Sequence, residues 1–67
     1  MNNEVQFELI QKFLARKQKV IRWLDEGIVI RTEWDNLLAE ADQLGMEASR
    51  KQLLRYYQHY HIGDLGR

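Results

Sequence analysis

The stretch from Glu4 to Leu24 constrains this chain more than any other. Read as a helix, it repeats Phe7, Leu14 and Ile21 every seven residues, and Ile10, Lys17 and Leu24 follow three positions behind them on the same narrow stripe. Phe13 and Val20 widen it. A stripe this apolar has to leave water, and in a chain of 67 residues little remains except what covers it.

A chain this short makes one domain, 1–67. At this size folding buries only about 60% of the surface the unfolded chain exposes, and one core seldom supplies more than roughly 3–5 kcal/mol. No cysteine is present, so neither a disulfide nor a thiolate metal site can staple the fold. What remains is well-packed helices or self-association, and a homo-oligomer is the expectation. Absence of cysteine suits a reducing cytoplasm. No apolar run approaches the ~20 residues a membrane span needs, and Met1-Asn2-Asn3-Glu4 lacks the basic and apolar regions of a leader. The expected location is cytoplasmic, with no membrane partner.

Lysines and arginines balance aspartates and glutamates overall, but not locally. Lys12, Arg16, Lys17, Lys19 and Arg22 outnumber Glu4 and Glu8 in the first stretch, whereas Asp25, Glu26, Glu33, Asp35, Glu40 and Asp42 face Arg31 alone in the middle. Base returns at Arg50, Lys51, Arg55 and Arg67, against Glu47 and Asp64. Such a chain is no generic polyanion binder, because its acidic middle repels phosphate unless folding turns it away. Pairing between neighbouring helices is the plain reading of the pattern.

The spacing predicts an all-α fold of three helices at about 4–26, 33–44 and 50–61, a long first helix with an αα-hairpin packed on it. Asn3 with Gln6 fits the first N-cap, and Gly27 and Gly45 supply left-handed stops. Asp25 and Glu26 lie at the negative end of the first helix, where Arg22, Arg31 or a basic partner has to compensate them. Ile28-Val29-Ile30 is a β-branched triplet that reads as a buried connector rather than a strand. Thr32 with Asp35 predicts the second cap, and Trp34, Leu37, Leu38, Ala41 and Leu44 the second apolar face. Ser49 with Gln52 predicts the third cap. Leu53, Tyr57 and Tyr60 are expected inward and Tyr56 outward, with a loose tail from Gly63.

The segment from Trp34 to Tyr60 has the outline of a helix-turn-helix, whose second helix enters the major groove and reads base edges and phosphates with Arg, Lys and Gln. The expected contact set is Arg50, Lys51, Arg55, Tyr56, Gln58 and His59. Any αα-hairpin shares that outline, and the turn from Gly45 to Ala48 is long for it. Leu54-Arg55-Tyr56-Tyr57, after Gly45 and before Ile62-Gly63, resembles the second-helix signature of MerR-type regulators. Its spacing to both glycines departs from that signature, no wing sequence follows, and no family function is carried over.

Catalytic chemistry finds no support. The single serine, Ser49, reads as a cap, glycines do not cluster into a phosphate loop, and a ligand pocket of ~300 Å³ or more is not expected in so short a helical chain. His59 and His61 point about 200° apart on a helix, so no metal or cofactor is expected. Two functions follow. One is a small DNA-binding regulatory protein of helix-turn-helix type, dimeric through its first helix, on double-stranded DNA. The alternative is a protein-interaction module, an inhibitor or adaptor of a larger assembly, with Leu9, Arg16 and Trp23 at its interface, since tryptophan favours interfaces.

Overall fold

The computed structural model describes residues 3–65, with side chains from Glu4 onward. It is all helical among those residues: α1 (Asn3–Asp25), α2 (Arg31–Gln43), α3 (Glu47–His59) and a 3₁₀ turn (Ile62–Asp64). The expected Asn3 cap and the end of the tail, Gly66-Arg67, fall outside the described side chains. Among the described residues, no helix is long and apolar enough to cross a membrane.

Two glycines give the chain its course. At Gly27 (φ +75) the amide donates to Leu24 O and the next amide, of Ile28, to Trp23 O; at Gly45 (φ +70) the pair is Gly45 to Asp42 O and Met46 to Ala41 O. Both patterns are Schellman closures, which consume the last carbonyls of a helix and need a left-handed residue that only glycine adopts without strain. Each turns the chain back on itself.

The start of each hairpin helix differs from expectation. Ile30 and Met46, rather than Thr32 and Ser49, stand at the N-cap positions of α2 and α3, with no side-chain cap. The Schellman turns explain this. Once Met46 N–H is bound back to Ala41, its carbonyl is placed to accept Arg50 N–H, and α3 opens at Glu47. Ser49 is thereby carried into the first turn and buried. The turn between α2 and α3 shortens to Leu44, Gly45 and Met46.

The core is Phe13, Val20, Trp34, Leu37, Ala41, Leu53 and Ile62, all fully buried. On α1 the buried line therefore runs through Phe13 and Val20, while Leu14 and Ile21 are half-buried and Phe7 is exposed. The heptad stripe lies about 80–100° to one side of that line, because α2 and α3 approach from the direction of residues 13 and 20. Lys17, on the α3 side, reaches Gln52 Oε1 at 2.7 Å and Ser49 Oγ at 3.4 Å. A lysine inside an apolar repeat thus becomes a tie between α1 and α3.

Ile28-Val29-Ile30 is a connector, with Val29 packed on the core and Ile30 extended (φ −116, ψ 104). The predicted loose tail is docked instead. His61 adopts the left-handed conformation (φ 54), which turns the chain so that Ile62 enters the core, and Leu65 O accepts a hydrogen bond from Arg31 Nη1 at 3.0 Å.

The tyrosines are also redistributed. Tyr56 packs on the core with its ring 6.2 Å from Trp34, whereas Tyr60 is 47% exposed. Trp34 presents its face on the side of Tyr56, and Tyr60 lies just past the last regular residue of α3. Phe13→Ala is expected to cost about 3–5 kcal/mol and Tyr60→Ala less than about 1 kcal/mol, read as shifts in urea midpoint at constant slope. Equal costs would mean that the core is not where these side chains place it.

Candidate nucleic-acid interface

Helix α3 has one solvent-facing side. Lys51, Arg55, Gln58 and His59 are exposed on it, spaced four, three and one residue apart so that they share an outward arc. The inward arc holds Ser49, Leu53, Tyr56 and Tyr57, packed toward α2. Four of the six expected contact residues are thus brought together.

The other two are committed elsewhere. Arg50 Nη2 donates to Glu47 Oε1 at 2.8 Å, one turn back on the same helix. That hydrogen bond holds the Glu47 carboxyl below its ordinary range and raises the Arg50 guanidinium; Asp42, at the end of α2, adds to the latter. Tyr56 turns inward against Trp34, so the expectation of an outward ring is corrected.

A surface cleft of about 580 Å³ lies along one flank of α3, lined by Gln52, Arg55, Tyr56, His59 and Tyr60. A concavity of ligand size was not expected. It arises because Tyr60 projects beyond the helix end, with its ring 24° from parallel to Tyr56 and edge-on to His59 at 5.0 Å. Gln52 and Tyr60 belong to this surface although the contact set omitted them. Gln52 lies three residues before Arg55 and four before Tyr56, a spacing visible in the sequence but absorbed into the supposed cap.

Half of the acidic middle is paired internally. Glu40 pairs with Arg16 of α1, Glu33 lies 3.9 Å from the same guanidinium, and Asp35 lies 3.5 Å from Arg31. Glu33 and Glu40 occupy the flank of α2 that meets α1, away from the outward arc of α3. Among the described residues, no three His, Asp or Glu side chains converge as a metal site would require.

The three residues expected at a protein interface lie on one line of α1 but are differently engaged. Arg16 is spent on Glu33 and Glu40, and Trp23 is half-buried against the core under the Lys19 ammonium, 5.5 Å from its ring. Leu9 alone stays open, 45% exposed. No family model matches the chain, and neither a curated protein nor a solved structure is similar to it.

Tyr57 ties α3 to α2. Its hydroxyl donates to Asp35 Oδ1 at 2.8 Å, and this bond, reinforced by desolvation, raises the phenol above its ordinary value. The folded state therefore holds the phenolic proton more tightly than the unfolded chain. The resulting stability is fully present below the ordinary phenol value of about 10 and is lost as pH rises through the raised folded value. Tyr57→Phe is expected to lower stability by at most about 1 kcal/mol and to flatten the decline in urea midpoint between about pH 9 and pH 11 relative to the parent. An unchanged alkaline slope would show that the bond does not form.

Proposed function

We propose that this chain is a small DNA-binding regulatory protein of helix-turn-helix type, a cytoplasmic dimer through its first helix that contacts double-stranded DNA with α3. The observation that carries the reading is the three-residue turn Leu44-Gly45-Met46, which seats α3 on α2 with Lys51, Arg55, Gln58 and His59 outward. A turn of this length containing glycine suits a helix-turn-helix. Residue chemistry supports it. Lysine and arginine neutralise phosphate, arginine and glutamine address guanine and adenine edges, and histidine adds a fourth polar group at the helix end.

Charge supports it as well. Pairing of Glu33 and Glu40 with Arg16 and of Asp35 with Arg31 ties three of the six middle acids to bases of α1 and α2, while Lys51 and Arg55 of α3 face solvent. The alternative, an interaction module that binds a larger protein, draws on the exposed Val5, Phe7 and Leu9. It makes no use of the outward arc of α3.

Lys51→Ala with Arg55→Ala is expected to abolish DNA retention while leaving the helical signal and urea midpoint within about 0.5 kcal/mol of the parent, since both side chains are exposed. Arg50→Ala is expected to weaken binding far less. In the parent, log affinity should fall linearly with log salt, by about 0.9 for each phosphate contacted, and each lost contact should flatten the slope by that amount. A stoichiometric protein partner that survives nuclease treatment and the double substitution, with no salt-dependent DNA binding, would replace this reading with the alternative.

A further inference from the structure

Helices α1 and α3 both pack on α2 but stand apart from each other, with no Cα of one within 8 Å of a Cα of the other among the described residues. Side chains bridge the space. Lys17 of α1 reaches across to Gln52 Oε1 at 2.7 Å and Ser49 Oγ at 3.4 Å. Toward the end of α1 the space becomes a cleft of about 470 Å³, walled on the α1 side by Lys17, Ile21, Arg22 and Asp25 and on the α3 side by Gln52. Gln52 also borders the cleft of Arg55, Tyr56, His59 and Tyr60, so the two run together as one trough along the α1 side of α3.

The trough is rich in donors. Lys17, Arg22 and Arg55 bring three positive charges to it against the carboxylate of Asp25, and none of the three has a carboxylate within 4 Å among the described residues. Gln52 spends its amide oxygen on Lys17, so what it presents to a ligand is its Nε2 donors. Arg22 and Arg55 are both exposed, and a guanidinium fork matches the oxygens of a phosphate.

We infer that a phosphodiester strand of double-stranded DNA lies in this trough, with Arg22 of α1 contacting a phosphate from one wall and Arg55 of α3 from the other. This rests on the function proposed above and extends its contact set to α1. Two dimensions select the strand. A helix with its side chains is about 10–12 Å across and the major groove about 12 Å wide, so a helix seated there has a phosphate strand along each flank. The trough is one such flank. Gln52 stands about 100° round α3 from Lys51, toward α1, and Arg55 lies between them, bordering both the outward arc and the trough. A strand beside α3 on this side therefore meets the wall that α1 provides.

Arg22 is exposed, so its replacement tests the contact without touching the core. Lys12 supplies the control, since it carries the same charge, is also exposed, and points about 180° from Ile21 on the far side of α1. Arg22→Gln should keep the parent's helical signal and urea midpoint while flattening the slope of log duplex affinity against log salt by about 0.9, the share of one phosphate contact. Lys12→Gln should leave that slope unchanged. Equal slopes for the two variants, both flattened or both unchanged, overturn the inference. A parent that binds duplex through Lys51 and Arg55 but is indifferent to Arg22→Gln removes this inference alone. A parent without salt-dependent duplex binding removes the proposed function and the strand with it.

Discussion

Burial of Trp34 is the interaction on which the rest of the structure depends. It is the largest fully buried side chain, it lies on the central helix, and the core of α1, α3 and the returning tail closes around the same cluster. An indole buries about 150–250 Å², worth roughly 4–6 kcal/mol at ~25 cal/mol per Å². Its Nε1–H is buried without a side-chain or backbone acceptor, which costs about 1–3 kcal/mol. Apolar burial wins, but by a margin small enough that the domain has little to spare. Every other placement, including the direction in which α3 faces, follows from how α1 and α3 meet the helix that carries this ring.

Electrostatics then sorts the surface. The chain keeps its charges balanced overall while directing them unequally. Acids of α2 turn toward Arg16 and Arg31, Lys17 binds polar groups of α3, and Glu47 holds Arg50. Exposed pairs of this kind contribute little to stability, typically about 0–1 kcal/mol. Their larger effect is on what is left over. Lys51 and Arg55 face solvent without a carboxylate within 4 Å among the described residues, although Glu47, one turn before Lys51, shares that side of α3 and feels its charge.

Much of this was legible in the sequence. Helical periodicity and the glycines at 27 and 45 gave three helices, their order and their ends, because both signals act within a few residues. The connector at Ile28-Val29-Ile30 was readable for the same reason. What the sequence did not disclose depends on where neighbours sit. The centre of the α1 face at Phe13 and Val20 is fixed by the approach of α2 and α3, and the exchange of Tyr56 for Tyr60 by the position of Trp34. Caps at Thr32 and Ser49 looked sound locally and lost to backbone closures set one turn earlier. On α3, spacing alone placed Lys51, Arg55, Gln58 and His59 on the outward side. It could not see that Arg50 has an acid at hand, or that Gln52 and Tyr60 border a cleft.

The left-handed turn at His61 has a consequence for how the chain reaches its native state. Elsewhere each element packs mainly on the one before or after it, and topologies built from such local contacts fold in microseconds to milliseconds. Ile62 is the exception. With the Arg31 bond to Leu65 it ties the tail back to the start of α2, closing a loop of 34 residues, and non-histidine, non-asparagine side chains seldom adopt the conformation that leads into it. The hairpin of α2 and α3 can therefore assemble early, with the tail sealing the core last. Contacts that form last slow unfolding rather than speed folding, so a tail that docks last acts on how long the folded molecule lasts.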